Sequence, residues 1–138
     1  MPRRIASIAL LAALAIAPAA ATADCAGQAW VESTLYMGRG LGDGRMAPDA
    51  EVQAFVAETI VPAFPDGFTI LDARGHWRDG RTGRAVDETT VVLVVAHPPG
   101  PAADEALRGI ADAYIARFGQ SSVLRSDHPV CVTFYERK

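Results

Sequence analysis

The chain has 138 residues, half of them hydrophobic, with 21% charged residues and a formal net charge of -3. That length suits one domain with its own core, and the acidic balance argues against nucleic acid or an anionic membrane surface as a partner. Two cysteines and three histidines leave few places for thiol or metal chemistry.

The chain opens with Arg3 and Arg4, an apolar run from Ile5 to Ala17 and small residues up to Ala23. This is the pattern of a cleaved secretory signal, and the run is short of the ~20 apolar residues that span a bilayer. Cleavage is expected after Ala23, so that residues 1–23 are a signal peptide and 24–138 a single exported domain, periplasmic or secreted. Loss of the two arginines takes the net charge from -3 to -5. In that compartment an even cysteine count favours a disulfide between Cys25 and Cys131.

Residues 30–37 alternate, with Val31, Leu35 and Met37 on one side and Glu32, Thr34 and Tyr36 on the other. That is a two-faced strand. Glycine then stands at 38, 40, 42 and 44, a density that signals positive φ or close backbone approach. A helix is predicted over 48–61, with Val52, Phe55, Val56, Thr59 and Ile60 at helical spacing, Pro48 in its first turn and Pro62 ending it. The second strand, 68–78, sets Asp72, Arg74 and His76 on one face and Leu71, Ala73 and Trp77 on the other. A turn over 79–84 leads to a third strand, 89–96, which is apolar on both faces and so reads as covered on both. Prolines at 98, 99 and 101 precede a second helix over 102–118, striped by Leu107, Ile110, Ala111, Tyr114 and Phe118, with Gly119 closing it. A last extended stretch, 123–135, is expected to break around Asp127, His128 and Pro129.

Strand, helix, strand, strand, helix, strand is the α+β, ferredoxin-like (βαββαβ) arrangement: an antiparallel sheet with two helices on one face. The first and third strands would be central. Cys25 and Cys131 would then lie at the same end of the sheet, in agreement with a bridge.

Two places suit ligands. The first is the loop end of the sheet, where Arg39, Arg45, Arg78, Arg81 and Arg84 would gather near a helix N-terminus; an anion or carboxylate would sit there, centred on Arg39. The second is the helix-free face, where Glu32, Thr34 and Tyr36 would meet Asp72, Arg74 and His76, joined by Arg125. A bare face with apolar residues calls for a cover, and two such faces meeting in a homodimer would enclose a polar cavity touched by Tyr36, Arg74 and His76. Opposed to both are readings in which these residues form only surface ion pairs. The glycines do not match G-x-G-x-x-G or a P-loop, G-x-S-x-G is absent, and the histidines lack metal-ligand spacing. No cofactor, metal or catalytic residue is therefore assigned. Trp30, Tyr114 and Phe118 are expected in the core.

Several segments resemble an uncharacterised bacterial family, domain of unknown function 3574. They are Thr34-Leu-Tyr-Met-Gly-Arg39, Phe64-Pro-Asp-Gly67, Leu71-Asp-Ala-Arg-Gly-His-Trp77, Arg117-Phe-Gly-Gln120 and Pro129-Val-Cys-Val132. Met37 departs from the aromatic expected there. The resemblance implies a small secreted or periplasmic protein and brings no catalytic residues. The expected function is a module that binds a small molecule or a protein. The alternatives are a dimeric α+β-barrel-type enzyme using the Tyr36, Arg74 and His76 cavity, and a structural envelope protein.

Overall fold

The computed structural model describes residues 25–41, 43–80 and 82–137. The expected signal peptide, Gly42 and Arg81 lie outside the described residues. The elements are β1 (Gln28–Gly38), a first helix in three segments, β2 (Thr69–Arg78), β3 (Ala85–His97), α3 (Pro101–Phe118) and β4 (Leu124–Val132). The first helix runs through α1 (Asp49–Phe55), a π-helical stretch (Val56–Ile60) and a last turn, α2 (Val61–Ala63). The strands form one antiparallel sheet in the order β2-β3-β1-β4. This is the ferredoxin-like α+β fold, with β1 and β3 central.

Directly opposed residues of an antiparallel pair share a face, so the register assigns every side chain. Leu35 opposes Leu93, and Met37 opposes Val91. These residues and Val95 are buried with Val52, Phe55 and Ile60 of the first helix and Leu107, Ile110, Tyr114 and Phe118 of α3. Phe55 meets the rings of Tyr114 and Phe118 edge-on at 5.2 and 5.8 Å. Trp30 departs from expectation: it lies on the other face and packs against Phe134 at 5.6 Å.

Three boundaries differ from the sequence reading for identifiable reasons. Pro62 does not end the first helix but sits inside its last turn. A proline ring crowds the carbonyl four residues back and donates no hydrogen bond, and the wider π turn just ahead of it relieves both problems. β4 runs unbroken through Asp127, His128 and Pro129; it is an edge strand, where proline's missing N–H is tolerated. β3 begins at Ala85, not at residue 89, so the β2–β3 ribbon continues past the point where Gly38 ends the β1 pairing opposite Thr90.

The bridge between Cys25 and Cys131 is formed, with Cα atoms 5.5 Å apart. Among the described residues no helix is long and apolar enough to cross a membrane.

Candidate functional site

The glycine loop is built around a carboxylate from elsewhere in the chain. Glu88, half-buried on β3, accepts from the Gly40 amide at 2.9 Å and from the Trp77 indole N–H at 2.7 Å. A Cβ on Gly38 would lie 2.3 Å from Glu88 Oε1, and one on Gly40 would lie 2.8 Å from Oε2. A side chain at either position would therefore push the Glu88 carboxylate aside, while Gly44 needs glycine for a φ of 84°. Gln120 Nε2 donates to the Gly40 carbonyl at 2.6 Å, and the Tyr114 hydroxyl donates to the Gly38 carbonyl at 3.0 Å. Burial of the Tyr114 phenol pushes its pKa up to about 12.

Beside Glu88, on the helix-free face, lies a pocket of about 320 Å3. Its floor exists because Ala73 and Gly75 present almost no side chain between Leu71 and Trp77 on β2. A Cβ at Gly75 would meet Thr90 Oγ1 at 2.6 Å. Tyr36 and Leu124 form one wall, Trp77 and Glu88 another, and Gln120, Ser121 and Ser122 close the end. Tyr36, Leu71 and Leu124 remain 41%, 49% and 64% exposed.

The residues expected to act together stand on different faces of the sheet, although Tyr36, Arg74 and His76 all line this pocket. Tyr36 is on the helix-free face, opposed by Val92 and Leu124. Asp72, Arg74 and His76 oppose Val91, Thr89 and Asp87 and so belong to the helix-side face. The expected phase of β2 is off by one residue, because Ile70, not Leu71, turns to the core; such a slip exchanges every side chain between faces. Arg74 and His76 still border the pocket from the edge strand, although His76 Nδ1 is held by Asp87 at 2.6 Å. Arg125 is also on the helix side and is shared between Asp104 at 2.6 Å and Asp127 at 2.9 Å.

Arg39 is not available to an anion. It is buried, and its guanidinium donates to the Ala47 carbonyl and to Asp49 Oδ1, both at 2.5 Å. Of the other arginines expected there, Arg45 pairs with Asp43 and Arg78 donates to the Gly83 carbonyl, both at the exposed surface. The Arg39-centred anion site is thereby replaced by an internal latch between the loop and the start of α1.

A second polar cluster had no signal in the sequence. Ser33 Oγ, fully buried, lies 2.9 Å from His97 Nε2 and donates to Asp127 Oδ1 at 2.5 Å, while His97 Nδ1 faces the Pro98 carbonyl at 2.9 Å. The residue types are those of a hydrolase triad, but the roles are not, because the carboxylate holds the serine and not the imidazole. The Ser33 hydroxyl, and then Arg125, hold the Asp127 carboxyl below the usual carboxylate range against partial desolvation. Among the described residues, no group of three His, Cys, Asp or Glu side chains is placed to hold a metal ion.

The family model of a protein of unknown function, DUF3574, matches residues 32–134. No curated protein matches the sequence. Among solved structures, a phage SAM lyase in complex with S-methyl-5'-thioadenosine is similar at 16% identity with a TM-score of 0.57, covering 85% of this chain and 100% of that one. The apo state of a phage SAM lyase is similar at 18% identity and a TM-score of 0.50, covering 84% of this chain and 100% of that one. CutA from Synechococcus elongatus, bound to Bis-Tris, is similar at 10% identity and 0.48, covering 76% and 84% of the two chains. At such identities the likeness is one of fold.

Proposed function

The chain belongs to the DUF3574 family, and on that premise we propose that it is an exported binding module whose small ligand occupies the pocket beside Glu88. The observation that carries the reading is the stripped floor at Ala73 and Gly75, framed by Tyr36, Trp77 and an oriented carboxylate. A mostly apolar concavity with a few fixed polar groups is the general form of a small-molecule site. The disulfide supports an oxidising compartment, consistent with the signal-like residues 1–23.

An enzyme is the second reading. It draws on the phage SAM lyase that shares the fold and holds a nucleoside thioether, but fold alone transfers no reaction. The residues first grouped for such an enzyme, Tyr36, Arg74 and His76, all line the pocket, which supports this reading as far as geometry goes. A homodimer that covers the helix-free face is compatible with either reading.

Native mass spectrometry of the mature protein and of Ala73→Phe, both purified from the periplasm, tests the reading. The expected result is an extra mass on the wild type that the filled pocket no longer retains. The same mass on both proteins would place the ligand elsewhere. S-methyl-5'-thioadenosine, added to the wild type and followed by thermal shift, addresses the second reading; no shift would count against it.

A further inference from the structure

Glu88 makes no ion pair among the described residues. Among the described residues the ion pairs join Arg39 to Asp49, Arg45 to Asp43, His76 to Asp87, Arg117 to Glu58, and Arg125 to Asp104 and Asp127. The partners of Glu88 are two neutral N–H groups, one on each carboxylate oxygen. Arg39, whose charge together with that of Glu88 acts on the Tyr114 phenol, is already committed to Asp49. Arg74 and His76 border the same pocket, but both stand on the helix-side face of β2, opposite to that of Glu88, and His76 is held by Asp87. The half-buried carboxylate is thus offset by no ion pair, and partly buried charges are ordinarily paired. Tyr36 and Trp77 also line the pocket, from its two walls, and aromatic faces attract cations and, above all, weakly hydrated organic ones.

Deepening the pocket reading, on which this rests, we propose that the ligand is an organic cation of the onium type, ammonium or sulfonium, with its charge against Glu88 and its substituents between Tyr36 and Trp77. The glycines at 38 and 40 serve this arrangement, since any side chain there would displace the carboxylate. Two oxygens that already accept one bond each retain lone pairs for the incoming charge.

The test compares two probes of equal shape on the unmodified protein, choline and its neutral isostere 3,3-dimethyl-1-butanol, by amide NMR titration. The expected result is that choline shifts the amides of Gly75 and Gln120 and binds roughly tenfold tighter than the alcohol or better. In Glu88→Gln the difference between the two probes should disappear. If both probes move these amides with equal affinity, the cation proposal is overturned while the pocket reading stands. If neither moves them at any soluble concentration, the cation proposal is overturned, and the pocket reading stands or falls by the mass on wild type and Ala73→Phe. The isostere pair needs no variant, so the outcome does not depend on how well Glu88→Gln folds.

Discussion

At Gly38, one hydrogen atom in place of a methyl group determines whether the carboxylate of Glu88 can lie flat on the backbone. Gly38→Ala would force the two together at 2.3 Å, and overpacking of this kind costs about 1–3 kcal/mol. In a Glu88→Ala background the same substitution should cost little, and denaturant melts of the four proteins would show that coupling; an equal cost in both backgrounds would sink the steric account. Tyr114 supplies a second prediction. Its phenol, raised to about 12 by burial, stays neutral in the folded state at pH values where the unfolded chain ionises near 10. Its contribution is complete below the unfolded value and is lost as pH climbs through the folded one. Wild type should therefore lose more thermal stability than Tyr114→Phe between about pH 10 and 12, and parallel curves would contradict the assignment.

Between elements, the connections run through polar side chains. Arg39 ties the end of β1 to the start of α1 through Ala47 and Asp49. Arg39→Ala leaves the Ala47 carbonyl without that donor and is expected to cost about 1–3 kcal/mol, with Arg39→Lys restoring only part, since an ammonium lacks the guanidinium fork. Chemical denaturation reads both. Ser33 holds β4 to β1 through Asp127, and Arg125 holds β4 to α3 through Asp104. With its folded pKa depressed, Asp127 contributes stability above the unfolded value of 3.8 that is lost as pH falls through the folded one. Ser33→Ala should thus flatten the acid limb of the stability profile, and an unchanged limb would refute the role.

The sequence conveyed these elements unevenly. The order of strands and helices was legible, because Leu35 with Met37 and the stripe from Leu107 to Phe118 repeat at periods the backbone imposes. The phase of β2 was not: beyond Ile70 its helix-side positions are Asp72, Arg74 and His76, polar because the ribbon outruns the core, so alternation pointed the wrong way. The glycines of the loop announced a close approach, but not by whom, since Glu88 is 48 positions from Gly40. His97 and Asp127 stand 64 and 94 positions from Ser33, and no local pattern links them.

Over the whole molecule, the bridge from Cys25 to Cys131 encloses every strand and helix of the sheet apart from the last residue of β4. A loop of 106 residues corresponds to about 4–5 kcal/mol by chain entropy. Urea melts with and without reductant should show a loss of that order, absent in Cys25→Ser; no difference would mean that the unfolded chain is already constrained. The same bridge alters what chain order means. Between Cys25 and Cys131 the molecule is a covalent ring, closed once by sulfur. A single proteolytic cut in the exposed turn between Arg78 and Ala85 would leave one molecule, not two fragments. Its elements would then read β3, α3, β4, a sulfur junction, β1, first helix and β2: a circular permutant made without touching the gene, with the pocket's two halves still tethered by the disulfide at the far end of the sheet.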